Sequence, residues 1–242
     1  DTYGKSISED VISMSQRTGA VAAINGDYYG VGTGGIVIRN GVLVAALNID
    51  PDVVIPDTVI AIRPSAFDHN PTLRSVEIPG SVKVIGKRAF CGCTSLESVI
   101  LRDGVEQIEE AAFAMCSKLV RVTLPESLKD IGSQNFLACS SLSEIKLPPA
   151  VSKIPYGAFM GCTALRSIAL PNRLLTIGER AFENCSVMES VRIPDSVKEI
   201  EKFAFRMCTG LLSITLPNYL LCMSEGVLSW CKKLQFIAPQ AR

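Results

Sequence analysis

Nine cysteines are the residues with the clearest capacity for chemistry, and most of them recur every 23 residues. The repeating members are Cys93, Cys116, Cys139, Cys162, Cys185, Cys208 and Cys231. Zinc needs four ligands that converge as a tetrahedron, which a straight row cannot supply. Parallel side chains on adjacent strands also lie near or beyond the usual Cβ separation of a disulfide. We therefore expect structural core thiols, since free cysteine is among the most buried residue types.

Two cysteines, Cys91 and Cys222, lie outside this row. Other units carry charged residues at the same positions, such as Glu183 and Glu199, so we expect both thiols to be exposed. A reactive thiol needs a pKa lowered by nearby cations, and Arg88 is the one candidate beside Cys91. Accidental exposure, with adventitious intermolecular disulfides, is favoured over catalysis.

The chain has a single histidine, His69, which excludes any site built on two imidazoles. Asp68 is adjacent, but no Gly-x-Ser-x-Gly or similar nucleophile motif accompanies them. The glycine-rich stretch 30–35 lacks the Gly-Lys-Ser/Thr of a phosphate loop and is interpreted as a flexible loop. We predict no catalytic, cofactor-binding or metal-binding residues, and therefore no enzyme and no cofactor.

Charge and hydropathy exclude further classes of function. Basic and acidic residues number 24 each, so net charge gives no attraction to nucleic acid. No apolar run approaches the roughly 18 residues that a membrane span needs. Apolar residues make up 48% of the chain, which is enough to form a core.

Two more rows share the 23-residue period of the cysteines. The prolines that end each apolar segment are Pro56, Pro79, Pro125, Pro148, Pro171, Pro194 and Pro217. The phenylalanines are Phe67, Phe90, Phe113, Phe136, Phe159, Phe182 and Phe205. Such coincident rows are the signature of a repeat architecture, and we expect the phenylalanines and the cysteines each to form an internal ladder.

Within each unit, a pattern such as Leu96-x-x-Val99-x-Leu101 predicts a short strand with one buried face. A proline then ends the strand, and a second apolar pair, such as Val82 and Ile85, follows a polar turn. One unit cannot bury its own apolar face, whereas stacked units can. About eight such coils fit into residues 51–242, which predicts a solenoid of short parallel strands and turns.

The unit Ile85-Gly-Lys-Arg-Ala-Phe-Cys-Gly-Cys-Thr-Ser-Leu-Glu-Ser-Val-Ile-Leu101 resembles the BspA-like leucine-rich repeat, almost position for position. The resemblance implies an α/β-type, right-handed leucine-rich-repeat solenoid. It also implies a secreted or cell-surface protein with a role in adhesion and protein binding. The nine mostly unpaired thiols would suit a reducing cytoplasm, so a cytoplasmic location stays open.

Residues 1–50 lack the period and predict a small α/β cap at the N-terminal end of the solenoid. Ser6-x-x-Glu9 is a capping box before a helical pattern that stops at Gly19. Residues 20–24 are typical of a strand. Asn40-Gly41 between apolar runs predicts a two-residue hairpin.

The strings Ala-Ile-Asn25-Gly-Asp27-Tyr-Tyr and Val-Ile-Arg39-Asn-Gly resemble the early part of the phosphodiester glycosidase family. That resemblance covers residues 1–45 at most, and the rest of the catalytic domain has no counterpart. We interpret the segment as truncated and repurposed for capping. Asn25 and Asp27 are then expected to make turn hydrogen bonds rather than to bind a sugar phosphate.

The solvent-facing side of the strands is the candidate partner-binding surface. Its variable positions include the charged residues Arg121, Glu144, Lys146, Arg166 and Arg192. We predict a monomeric, non-catalytic interaction or adhesion module that binds a protein or glycoprotein. With no aromatic cluster on this side, any single contact is expected to be weak or to depend on avidity. The alternatives are an inactive or incomplete glycosidase-type fragment fused to repeats, and a structural spacer.

Overall fold

Most of the 23-residue units place two short strands on two sides of one coil. The computed structural model describes residues 35–47 and 49–239. Its strands are β1 (Gly35–Arg39), β2 (Val42–Leu47), β3 (Asp52–Val54), β4 (Ala61–Ile62), β5 (Ser75–Ile78), β6 (Val84–Ile85), β7 (Ser98–Leu101), β8 (Gln107–Ile108), β9 (Arg121–Thr123), β10 (Lys153–Ile154), β11 (Thr176–Ile177), β12 (Ser190–Arg192), β13 (Glu199–Ile200), β14 (Ser213–Leu216), β15 (Cys222–Met223) and β16 (Phe236–Pro239).

The strands form two rows that run along the stack. The first row contains the sheets β3-β5-β7-β9 and β12-β14-β16, with an isolated bridge between Lys146 and Ala169 in the coils between them. The second row contains β1-β2-β4-β6-β8 and β10-β11-β13-β15. The first-row register is constant, so that Ser75 faces Ser98 and Ser98 faces Arg121. Residues that stand 23 positions apart in the sequence are therefore neighbours in space and form a column along the stack.

The predicted repeat solenoid is confirmed, with two differences. The stack has about nine turns rather than eight, because the first-row strands begin at β3 and end at β16. The described residues contain no helix, so the α/β label does not fit this part of the chain. The helix expected before Gly19 and the strand expected at 20–24 lie outside the described residues.

The seven phenylalanines stack along the interior of the solenoid. Adjacent ring centroids, from Phe67–Phe90 to Phe182–Phe205, are 4.6 to 6.0 Å apart. The rings lie within 18° of parallel. All seven are at most 1% exposed. Because each ring touches the ring one coil away, the core is continuous from coil to coil.

Backbone hydrogen bonds join the turn that contains each phenylalanine to the equivalent turn of the next coil. The N–H groups of Ser65, Phe67 and His69 donate to carbonyls of the next coil at 2.7 to 3.0 Å. Ser65 and His69 adopt left-handed backbone conformations, with φ of 58° and 57°. Such conformations cost energy outside glycine, and the bonds between coils offset that cost.

The Asn40-Gly41 hairpin is present as predicted. Asn40 has φ of 50° and Gly41 has φ of 74°, the two positive values that a type I′ turn requires. Strand β2 then pairs in parallel with β4, with Val42 opposite Ala61. The hairpin thus extends the second strand row at its N-terminal end.

Candidate partner-binding face

Strand alternation decides which side chains of the first row face solvent. In β12, Val191 is 4% exposed and points into the core, whereas its neighbours Ser190 and Arg192 are exposed. The same alternation holds from β3 to β14, whereas all four residues of β16, in the last coil, are exposed. We call the outward residues of this row, together with the residue that precedes each strand, the strand face.

All five charged residues singled out from the sequence are exposed on the strand face. Arg121 begins β9, opposite Ser98. Glu144 and Lys146 lie in the coil whose bridge joins Lys146 to Ala169. Arg192 ends β12, opposite Thr215, and Arg166 directly precedes its strand segment.

Several of these charges form ion pairs between coils. Lys146 Nζ lies 3.6 Å from Glu126 Oε1, and Arg166 Nη1 lies 3.6 Å from Glu189 Oε1. The side chains of these pairs are 62% to 85% exposed. Exposed pairs contribute little to stability, so a partner can displace them at small cost.

The strand face contains a groove of about 360 Å³ that spans three successive coils. Its lining residues are Glu97, Ser98, Lys118, Val120, Arg121 and Ser141. Sequence reasoning found Arg121 but missed Lys118, because Lys118 stands three residues before the strand, where the pattern predicts a turn. Its position in the period, equivalent to Ser95 and Ser141, was the available signal.

The expectation that Cys91 is exposed was wrong. Cys91 is 0% exposed and packs against Ala111, Ala114 and Leu137. Burial raises the pKa of its thiol, and the nearby Arg88 guanidinium opposes this only in part. The thiol is therefore the protonated, unreactive form at neutral pH. Cys222 is exposed, as expected.

Glu183 occupies the position of the repeat that is equivalent to Cys91, four coils further along the chain. Glu183 is 4% exposed, and its carboxylate lies 3.2 Å from Arg180 Nη1 and 2.9 Å from Arg206 Nη1. Both guanidinium groups also lie 5.4 Å from the ring centroid of Phe203. A charged residue at this position of the repeat thus belongs to a partly buried ion cluster rather than lying fully exposed.

The described residues contain no group of three or more His, Cys, Asp or Glu side chains that could hold a metal ion. His69 Nδ1 lies 2.8 Å from Asp68 Oδ1, and its side chain is 64% exposed. Within the same ranges, no helix has the length and apolar character needed to cross a membrane.

In a comparison with protein families, the chain matches the "BspA type Leucine rich repeat region" in 6 copies, over residues 48–165 and 129–241. The match begins at residue 48, and the glycosidase-like resemblance of the preceding segment stays a prediction. A search of curated proteins found no match for the chain.

Solved structures of bacterial leucine-rich repeat proteins resemble this one. A leucine-rich repeat protein of T. pallidum has a TM-score of 0.60 and 29% identity, covering 80% of this chain and 82% of its own. A protein of Bacteroides ovatus has a TM-score of 0.47 and 21% identity, covering 88% and 74%. A cell surface protein of Faecalibacterium prausnitzii has a TM-score of 0.39 and 20% identity, covering 90% and 96%.

Proposed function

Because the chain belongs to the BspA-type leucine-rich repeat family, we propose that it is a non-catalytic interaction or adhesion module. It binds a protein or glycoprotein partner through the strand face. The observation that supports this most is the constant register, which aligns exposed side chains in columns along about nine turns. Solenoids use such extended surfaces for binding.

The strand face recognises its partner through side chains. Interior strands such as β5, β7 and β14 pair with a strand on each side, so their backbone has no free edge for β-strand addition. The charged positions Arg121, Glu144, Lys146, Arg166 and Arg192 supply mixed electrostatic contacts. Such contacts favour specificity and fast association over high affinity, which suits avidity from repeated display.

We further propose that the protein acts as a monomer at the cell surface or after secretion. The location is supported by what the BspA-like resemblance implies. Its nine free cysteines are compatible with that location where oxygen is scarce. Residues 1–50 act as the N-terminal cap, and residues 51–242 as the binding domain.

A biosensor screen of the full chain against extracellular-matrix proteins and mucins tests the proposed function. The test variant is Arg121→Ala/Lys146→Ala/Arg192→Ala on the strand face. The matched control is Lys129→Ala/Lys153→Ala/Lys198→Ala, which removes the same charge from exposed positions of the second strand row. We expect the strand-face variant to bind at least about tenfold more weakly and the control to bind normally.

Equal loss in both variants would contradict a role specific to the strand face. Absence of any saturable binding, with the chain shown to be folded by circular dichroism, would favour the structural spacer. Hydrolysis of a sugar phosphodiester by the full chain would instead support the glycosidase-type alternative.

A further inference from the structure

The groove on the strand face contains exposed charges that have no ion-pair partner within the described residues. Within the described residues, neither the Lys118 nor the Arg121 side chain has a hydrogen bond or an ion pair, and the Glu97 carboxylate also lacks an ion pair. Other cations of the same face are paired. Arg74 lies beside Asp52, and Arg166 lies beside Glu189.

Both cations also depart from the repeat. The column of Arg121 holds serine in most other coils, as at Ser98, Ser167 and Ser190. The column of Lys118 holds Ser95 and Ser141 in the adjacent coils, and a lysine recurs in it at Lys233. Neither cation is needed to build the coil, because its neighbours form the same coil with serine.

The backbone holds the groove in a fixed shape. The N–H groups of Val120 and Arg121 both donate to the carbonyl oxygen of Glu97, at 2.9 and 3.2 Å. Beneath them, Val99 and Leu119 are at most 1% exposed. The backbone beneath the groove is therefore fixed, and a ligand has only the exposed side chains to order.

We propose that this groove is a binding subsite for a carboxylate group, which Arg121 and Lys118 hold together. The guanidinium group can bind both carboxylate oxygens, and the ammonium group adds a point charge. The hydroxyls of Ser98 and Ser141, which also line the groove, donate to the remaining oxygen lone pairs. The inference deepens the proposed function and rests on it, since the carboxylate belongs to the partner.

Glu97 makes the subsite selective for a carboxylate that has a hydrogen-bond donor beside it. With two cations and one carboxylate, the groove carries a net charge of about +1, which attracts an anionic group. Glu97 can also accept a hydrogen bond from an N–H or O–H next to the bound carboxylate. The ligand is thus an acidic side chain of a protein or a sugar acid of a glycan.

Fluorescence anisotropy with the full chain tests the subsite. One probe is a labelled peptide of alternating Asp and Ser residues, and the other is a labelled oligogalacturonide. The test variant is Lys118→Ala/Arg121→Ala. The matched control, Lys129→Ala/Lys153→Ala, removes two cations from exposed positions of the second strand row. We expect the test variant to bind at least about tenfold more weakly and the control to change less than about twofold.

The two probes distinguish the sources of the carboxylate, and saturable binding of either one supports the subsite. Inorganic phosphate should compete with either probe, and Glu97→Gln, which raises the net charge of the groove by one, should strengthen that competition about threefold or more. No saturable binding of either probe to the folded chain, or equal loss in both double variants, would overturn the proposal. A partner that still depends on Lys146 and Arg192 would then leave the proposed function intact.

Discussion

The Sγ atom of Cys139 lies 3.2 Å from the backbone carbonyl oxygen of Phe113, to which the thiol donates a hydrogen bond. The same bond links each cysteine of the row to the phenylalanine 26 residues earlier, at 3.1 to 3.3 Å. In the first coil, Asn70 replaces the cysteine and accepts hydrogen bonds from the N–H groups of Thr72 and Leu73. The cysteine and phenylalanine rows are thus joined by one repeated hydrogen bond that links each coil to the preceding one.

Replacing Cys139 with alanine should destabilise the fold by roughly 1–2 kcal/mol. The change removes a buried sulfur atom and a hydrogen bond to Phe113. Urea denaturation measures it, with exposed Cys222→Ala as the control, which should change stability by less than about 0.5 kcal/mol. Equal effects of the two variants would contradict a structural role for the row.

Alkaline pH should unfold the protein. Burial raises the pKa of the Cys93 and Cys208 thiols to about 12, and those of Cys116, Cys139, Cys162 and Cys185 well above 9.0. The unfolded chain then binds fewer protons than the folded chain above about pH 9, so stability falls as pH rises. Each such thiol contributes a loss of about 1.4 kcal/mol per pH unit within that window.

Thermal unfolding between pH 7 and pH 11 measures this loss. We expect Tm to be nearly constant below pH 8.5 and to fall steeply above pH 9. The fall should be shallower for Cys139→Ala, relative to its own Tm at pH 7. A Tm that does not change up to pH 11 would show that the thiols are not protected as described.

Gly86→Ala should cost about 3 kcal/mol, because the new Cβ would lie 2.5 Å from Pro64 N and 2.6 Å from Ile62 O. These are backbone atoms of the preceding coil, which cannot move without breaking the stack. Gly161→Ala is the matched variant. Its φ is 76°, but its nearest atom would be 3.5 Å away, so only the cost of a left-handed alanine, about 1 kcal/mol, applies. Chemical denaturation should rank the two variants in this order, and the reverse order would contradict the close approach at Gly86.

Thiol labelling of the folded chain should modify Cys222 first. Cys222 is exposed, Cys231 is partly exposed, and the other cysteines are buried. Mass spectrometry after brief treatment with a thiol reagent should show one rapid modification, which Cys222→Ser removes. Equally rapid labelling of Cys91 would contradict its packing against Ala111 and Ala114.

Some of the local structure could be predicted from adjacent residues alone. Asn40-Gly41 predicted the hairpin because few residue pairs accept positive φ at both turn positions. The environment of Cys91 could not be predicted in this way, since it depends on Ala111, Ala114 and Leu137 from neighbouring coils. Similarly, Glu109 accepts a hydrogen bond from the N–H of Lys87 at 2.8 Å, a contact that no single unit reveals.

The sequence by itself determined the solenoid, its columns and the composition of its core. Each coil contacts the coils one period away, so a 23-residue period in the chain is also a period in space. Only the tertiary structure decided that Cys91 is buried, that Glu183 pairs with Arg206, and that Lys118 joins Arg121 in one groove. These outcomes depend on the side chains that meet across adjacent coils, where the repeat is broken and the period carries no information.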